Sequence, residues 1–260
     1  MPMDEGRTPV SAEPTKKPDT WVAGVDGCPA GWVAVLLPLG ANEAPRIRVT
    51  SHFQAILSFP EMPRRVAVDM PIGLADRVGL GGRTCDVEAR RRLGQRGSSV
   101  FTVPARAAVM ENDYRRACAI ALAHSEPPRK ISKQCFHLFP KIREIDAAMT
   151  PALQERVFEC HPELAFWAMN GQQRLDEPKK VKSRPYEPGL KLRRRLLAAV
   201  GMPATLLDPD VVLPKGVVID DLLDAAACAW TARRAHLGTA LHLPENPPID
   251  GRGLRMEICA

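Results

Sequence analysis

WVAGVDGCPAGWVAVLL, residues 21–37, reads as strand, acidic turn and strand. Two short apolar runs separated by a Gly/Pro-rich corner predict a β-hairpin with a small, tight tip. Asp26 then stands where the first strand ends, at a sheet edge instead of on a long loop. A second strand-like run, Arg65-Val-Ala-Val-Asp69-Met-Pro-Ile-Gly73, also ends in a carboxylate, and Pro71 and Gly73 stop it from continuing. Far downstream, Asp220-Asp221-Leu-Leu-Asp224 opens an Ala-rich stretch that predicts a helix stopped at Gly238. On that helix Asp221 and Asp224 are i and i+3, and Asp220 and Asp224 are i and i+4, so both pairs share a face. Acids delivered by strand ends and one helix are the raw material of a divalent-metal site. Asp26, Asp69 and Asp224 are therefore expected to converge, with Glu159 or Asp221 completing the set.

The remaining residues bound what such a site serves. A chain of 260 residues is long enough for one large α/β domain carrying an insertion, and its 25% charged and 45% apolar residues are ordinary for a globular protein. No apolar run approaches the ~20 residues that span a bilayer, and no hydrophobic signal core opens the chain, so a cytoplasmic location without membrane contact is expected. The seven cysteines form no C-x-x-C pair, which argues for reduced thiols and against both a disulfide framework and a zinc cage. The net charge is +6, and Arg174–Arg195 alone holds nine Lys/Arg against three Asp/Glu. Such a run is suited to tracking a polyanion, and equally to forming a solvated face.

Along the chain, residues 1–20 are rich in Pro, Thr, Lys and Glu without apolar periodicity and read as a disordered leader. Residues 21–260 read as one domain. Arg46–Thr50 is a third strand and Phe53–Phe59 a short helix. Residues 75–140 predict a mostly helical insertion, with helical periodicity over Asp113–Ala123, and Ile142–Ile145 and Pro151–Leu153 flank a turn. Arg156–His161 reads as a fifth strand on which Glu159 and His161 face the same side, and Leu190–Val200 as a helix. Three hairpin-linked strands followed by strands reached through helices specify a mixed sheet with helices on its faces, an RNase H-like α/β layout.

Each polar group also has a plain structural reading. Asp before Gly is a common turn residue, which fits Asp26, and acids at a helix start cap it, which fits Asp220 and Asp221. His161, before Pro162, fits a packed core histidine as well as a substrate-orienting one. Arg83, Arg90, Arg96, Ser98 and Ser99 combine guanidiniums and hydroxyls suited to gripping phosphate oxygens, or else a solvated helix face with an Asp86–Arg90 pair. Lys179, Lys180 and Lys182 are the expected strand-tracking lysines.

These stretches also resemble a known family. GVDGCPAGWV, VDMPIGL, RTCDVEARRRLGQRGSSVF, SKQCFHLFPKIREID, VFECHPELAF with Asn170-Gly171, and DDLLDAAACAWTA occur in the same order as in the RNase H-like nucleases catalogued as domain of unknown function 429. The similarity runs from about Trp21 to the C-terminus. It implies an RNase H-like core whose first-strand acid is Asp26 and whose last helix carries Asp221 and Asp224. It further implies Mg²⁺- or Mn²⁺-dependent hydrolysis of phosphodiester bonds in DNA or RNA. The Asp-x-x-Asp-Ala pattern also looks like the closing helix of Holliday-junction resolvases, whose middle acid is a strand-end Glu where this chain offers Asp69 or Glu159. The acidic strand and glycine-containing hairpin resemble, in addition, the phosphate-binding hairpin of actin-like sugar kinases. A small-molecule phosphotransferase and a non-catalytic binding module of the same fold are thus the competing expectations.

Overall fold

Alternation with a period of two sorts the strand side chains into two cores, one on each face of a five-stranded sheet. The computed structural model describes residues 19–182 and 184–260. In chain order the elements are β1 (Trp21–Cys28), β2 (Gly31–Pro38), β3 (Arg46–Thr50), α1 (Phe53–Ile56), β4 (Arg65–Val68), α2 (Thr84–Leu93), α3 (Arg106–Val109), α4 (Tyr114–Ala123), α5 (Lys133–Ala148), α6 (Pro151–Gln154) and β5 (Val157–Glu159). There follow α7 (Pro162–Met169), β6 (Lys180–Val181), β7 (Arg184–Pro185), α8 (Glu187–Ala199), α9 (Ala204–Leu207), α10 (Ile219–His236), β8 (His242–Leu243) and β9 (Ile258–Cys259). The sheet order is β3-β2-β1-β4-β5. The first three strands are antiparallel, while β4 and β5 join β1 in parallel. A mixed sheet with helices on both faces is thus the architecture.

Val22 and Cys28 of β1, Val33, Val35 and Leu37 of β2, Ala67 of β4 and Phe158 of β5 pack on one face beneath α10, α7 and α8. Their neighbours Trp21, Ala23 and Val25, Trp32, Ala34 and Leu36, Val66 and Val68, and Val157 pack on the other face, against α1, α3, α4 and α5. β1 is buried along almost its whole length, as expected of the central strand. The last helix lies directly across it. At Gly24 an added Cβ would stand 1.9 Å from the Ala229 nitrogen and 2.1 Å from the Ala225 oxygen, so the two backbones touch where a side chain would hold them apart.

Several boundaries differ from the sequence expectation. α5 continues through Pro140 to Ala148, beyond the insertion boundary at residue 140, because Cys135, Phe139, Ile142 and Ile145 form one buried stripe that outweighs the lost proline N–H. Ile142–Ile145 therefore belongs to the helix, and the break between it and Pro151–Leu153 of α6 is Met149–Thr150. β5 ends at Glu159, and His161 starts α7 as its N-cap residue. α10 begins at Ile219, which puts Asp220 and Asp221 inside its first turn and makes Val218 the N-cap residue in place of Asp220. The expected leader falls on residues 1–18, outside the described residues, while Asp19 and Thr20 are tied to the sheet edge by bonds to Asn42 and Leu39. No helix of the described residues is long and apolar enough to cross a membrane.

Candidate metal centre

Parity decides which acids meet. Asp26 is in phase with Val22 and Gly24, so it points to the α10 face at the carboxyl end of β1. Asp69 follows β4 in phase with Ala67, and its N–H continues the parallel ladder by donating to the Val25 carbonyl at 2.9 Å. Asp224 comes down from α10, five residues before the Ala229 contact with Gly24. Oxygen atoms of Asp26, Asp69 and Asp224 all lie within 4.8 Å of one another. Asp26 and Asp224 are buried and Asp69 is partly exposed.

Three carboxylates so close and so desolvated hold their protons tightly. Burial, then the charges of Asp69 and Asp224, raise the Asp26 pKa well above the ordinary range. Burial and then Asp224 raise that of Asp69 to about 7. Burial also raises Asp224, against the opposing pull of Lys179, whose ammonium is ion-paired with Asp224 Oδ2. Burial works against the Lys179 charge, yet Asp224 and Glu163 outweigh it and lift its pKa above the usual lysine value. Asp224 Oδ1, in contrast, is buried with no hydrogen-bond partner. An oxygen-only donor set with an unsatisfied buried carboxylate oxygen fits a hard divalent cation such as Mg²⁺ or Mn²⁺.

Glu159 stands apart from the trio, and the reason is its parity. It pairs in register with Val68, whose side chain faces the opposite core. Its carboxylate accepts from Arg83 at 2.7 and 2.8 Å and from the Ile72 N–H at 2.7 Å. Arg83 is itself buried and donates further to Asp86 and to the Ile72 and Gly73 carbonyls. Its guanidinium is thus engaged inside the protein, where the sequence suggested a phosphate grip. Asp221 caps its own helix by accepting from the Val218 N–H at 3.2 Å; burial foremost raises its pKa to about 6. Asp220 pairs with Lys180 at 2.5 Å.

Of the other expected binding residues, Arg90 donates to the Val100 and Phe101 carbonyls. Arg96, Ser98 and Ser99 rim a groove that also holds Lys179 and Lys180. His161 borders a cavity of about 190 Å³ reached from Asp26 and Asp69, with Lys141, Phe101 and Leu138 on its wall. Its Nδ1 has no partner, its Nε2 lies 3.4 Å from the Ser99 carbonyl, and burial first of all lowers its pKa, favouring the neutral ring. Lys182 is exposed at the tip between β6 and β7, with a positive φ of 49°.

Sequence reasoning missed the pair that places Lys179. Arg193 of α8 is fully buried and clamps Glu163 of α7 at 2.6 and 2.7 Å, while it also donates to the Glu177 and Gly189 carbonyls. Gly189 lets α8 approach so closely that a Cβ there would meet the Pro178 oxygen at 1.9 Å. The chain at 178–179 is thereby pinned with Lys179 over the acids. An arginine in phase with Leu190 and Leu197 on an otherwise apolar helix face was the available signal.

A family model described as protein of unknown function (DUF429) matches residues 24–249. The chain belongs to that family. No curated protein and no solved structure matches it. The matched span of the DUF429 family contains all three acids of the trio, together with Glu163, Lys179 and Arg193.

Proposed function

We propose that this protein is a divalent-metal-dependent nuclease with an RNase H-like fold, hydrolysing phosphodiester bonds of DNA or RNA. The observation that carries the reading is the convergence of Asp26, Asp69 and Asp224 from two strand ends and one helix, with one buried oxygen of Asp224 unpartnered. The strand order β3-β2-β1-β4-β5, antiparallel in its first half and parallel in its second, supports the fold assignment. Asp26, Asp69 and Asp224 would hold Mg²⁺ or Mn²⁺, which supplies activation of a water nucleophile and charge stabilisation at the leaving oxygen. The residues of the chain do the rest. The rim of Arg96 and Ser98 provides donors for a phosphate backbone beside Lys179. Lys179, ion-paired with Asp224, keeps a positive charge at the point where a scissile phosphate meets the trio.

The test is cleavage of labelled single- and double-stranded DNA and RNA in Mg²⁺ or Mn²⁺, with Asp26→Asn and Asp224→Asn as controls. Metal-dependent cleavage lost in both variants is the expected result. Turnover of ATP on small alcohols without any cleavage would replace the nuclease by a phosphotransferase. Polynucleotide binding with neither activity would leave a binding module.

A further inference from the structure

The C-terminal hairpin carries a second convergence of metal-binding side chains, made from residues the trio does not use. β8 and β9 pair antiparallel with His242 opposite Cys259. The flanking pair, Leu241 and Ala260, exchanges both backbone hydrogen bonds at 2.7 and 3.0 Å, so His242 and Cys259 form the adjacent, more closely spaced pair with side chains on one face. Glu257, two residues before Cys259, reaches the same side. Ligand atoms of the three residues lie within 4.8 Å of one another. His242 Nδ1 is 2.9 Å from Glu257 Oε2 and 3.5 Å from Cys259 Sγ.

We propose that His242, Glu257 and Cys259 form a site for a borderline transition-metal ion of the Zn²⁺ class. Both short contacts fall on the same ring nitrogen. A Cys–His–Glu nucleophilic triad needs the thiol and the carboxylate on opposite nitrogens, so that arrangement is excluded. One Nδ1 also serves the two partners poorly by hydrogen bonding alone: protonated, it suits the carboxylate and not the thiol; unprotonated, it suits the thiol and faces carboxylate lone pairs. A cation among the three atoms satisfies all of them. Tetrahedral arms of about 2.0–2.3 Å imply ligand-to-ligand edges of about 3.3–3.8 Å, which the observed spacings approach.

The donor set of one sulfur, one imidazole and one carboxylate selects Zn²⁺-like ions over Mg²⁺. Arg255 Nε donates to Glu257 Oε1 at 2.9 Å, which fixes the carboxylate and leaves Oε2 turned to His242. The His242 side chain is 52% exposed, and the groove beside it, bordered by Arg65, Gln154 and Phe158, admits the ion and a fourth ligand from solvent. On binding, the Cys259 thiol forms the metal–sulfur bond and releases its proton to water. Such an ion would staple β9 to β8.

The test is titration of the full chain with Co²⁺, read by the near-ultraviolet thiolate-to-cobalt charge-transfer band, followed by displacement with Zn²⁺. Wild type should show the band, and Zn²⁺ should bleach it. His242→Ala and Cys259→Ser should each lose the band and about tenfold or more in Zn²⁺ affinity, whereas Asp224→Asn should keep both. Zn²⁺ should raise the Tm of wild type but not of His242→Ala, a half-exposed position whose change leaves the fold intact. A wild type without the band, or a band that survives in Cys259→Ser or His242→Ala, overturns the proposal. Loss of nuclease activity would not touch it.

Discussion

Lys179 occupies one oxygen of Asp224 and leaves the other bare, so a metal entering the trio takes the bare oxygen beside a tethered ammonium that repels it. Lys179→Gln should therefore bind Mg²⁺ more tightly than wild type by calorimetry. Without metal it should melt at a lower temperature, because the three acids would lose the counter-charge ion-paired with Asp224. Added Mg²⁺ should restore the difference by mass action. The pH dependence has a definite sign. Asp69 is raised from the ordinary 3.8 to about 7, so the folded protein keeps a proton that the unfolded chain releases earlier. Stability from this group is fully present below about 4 and is lost as pH rises through about 7. Metal-free wild type should weaken across that interval in denaturant titrations, Asp69→Asn should flatten the slope, and saturating Mg²⁺ should offset the loss at the alkaline end.

Among elements, the crossing of α10 over β1 sets the geometry of the acids. Gly24→Ala would push a methyl into the backbone of Ala225 to Ala229, and overpacking of that kind costs about 1–3 kcal/mol or more. Chemical denaturation should record that loss, and metal affinity should fall with it, since Asp224 rides on the displaced helix. A normal Mg²⁺ affinity in a destabilised Gly24→Ala would show that the acids adjust independently of the crossing. The strands were legible as short apolar runs bounded by glycine and proline, and the pleat brings Asp26 and Asp69 to one face. Glu159 was a plausible companion only while its phase relative to Phe158 was ignored; its register with Val68 turns it to the other core and to Arg83. The reach of α5 past Pro140 was not legible, because a proline rule is local and the stripe that overrides it is tertiary. Nor could Glu163–Arg193 be read from spacing, since a clamp between α7 and α8 has no sequence period.

Over the whole molecule, the basic run from Arg174 to Arg195 divides into charges already spent and charges still facing solvent. Lys179, Lys180 and Arg193 are engaged by Asp224, Asp220 and Glu163, while Lys182, Lys191 and Arg195 are exposed. Replacing those three with Gln should weaken polynucleotide binding and reduce the magnitude of its log-log salt slope by about 2–3, at about 0.9 per duplex phosphate contact. Metal binding at the trio should be unchanged, and a triple variant indistinguishable from wild type at every salt concentration would make this face a solvated surface. The seven thiols add a further property of the whole fold. Every cysteine is free and buried, from Cys28 at the first hairpin to Cys259 beside the C-terminus. A bulky thiol reagent can reach them only through an opening of the structure, so its reaction rate serves as a clock of those openings. Seven such clocks, distributed from the central sheet through α2, α4, α5 and α10 to the last strand, would time each region separately by mass spectrometry, with no label engineered into the chain.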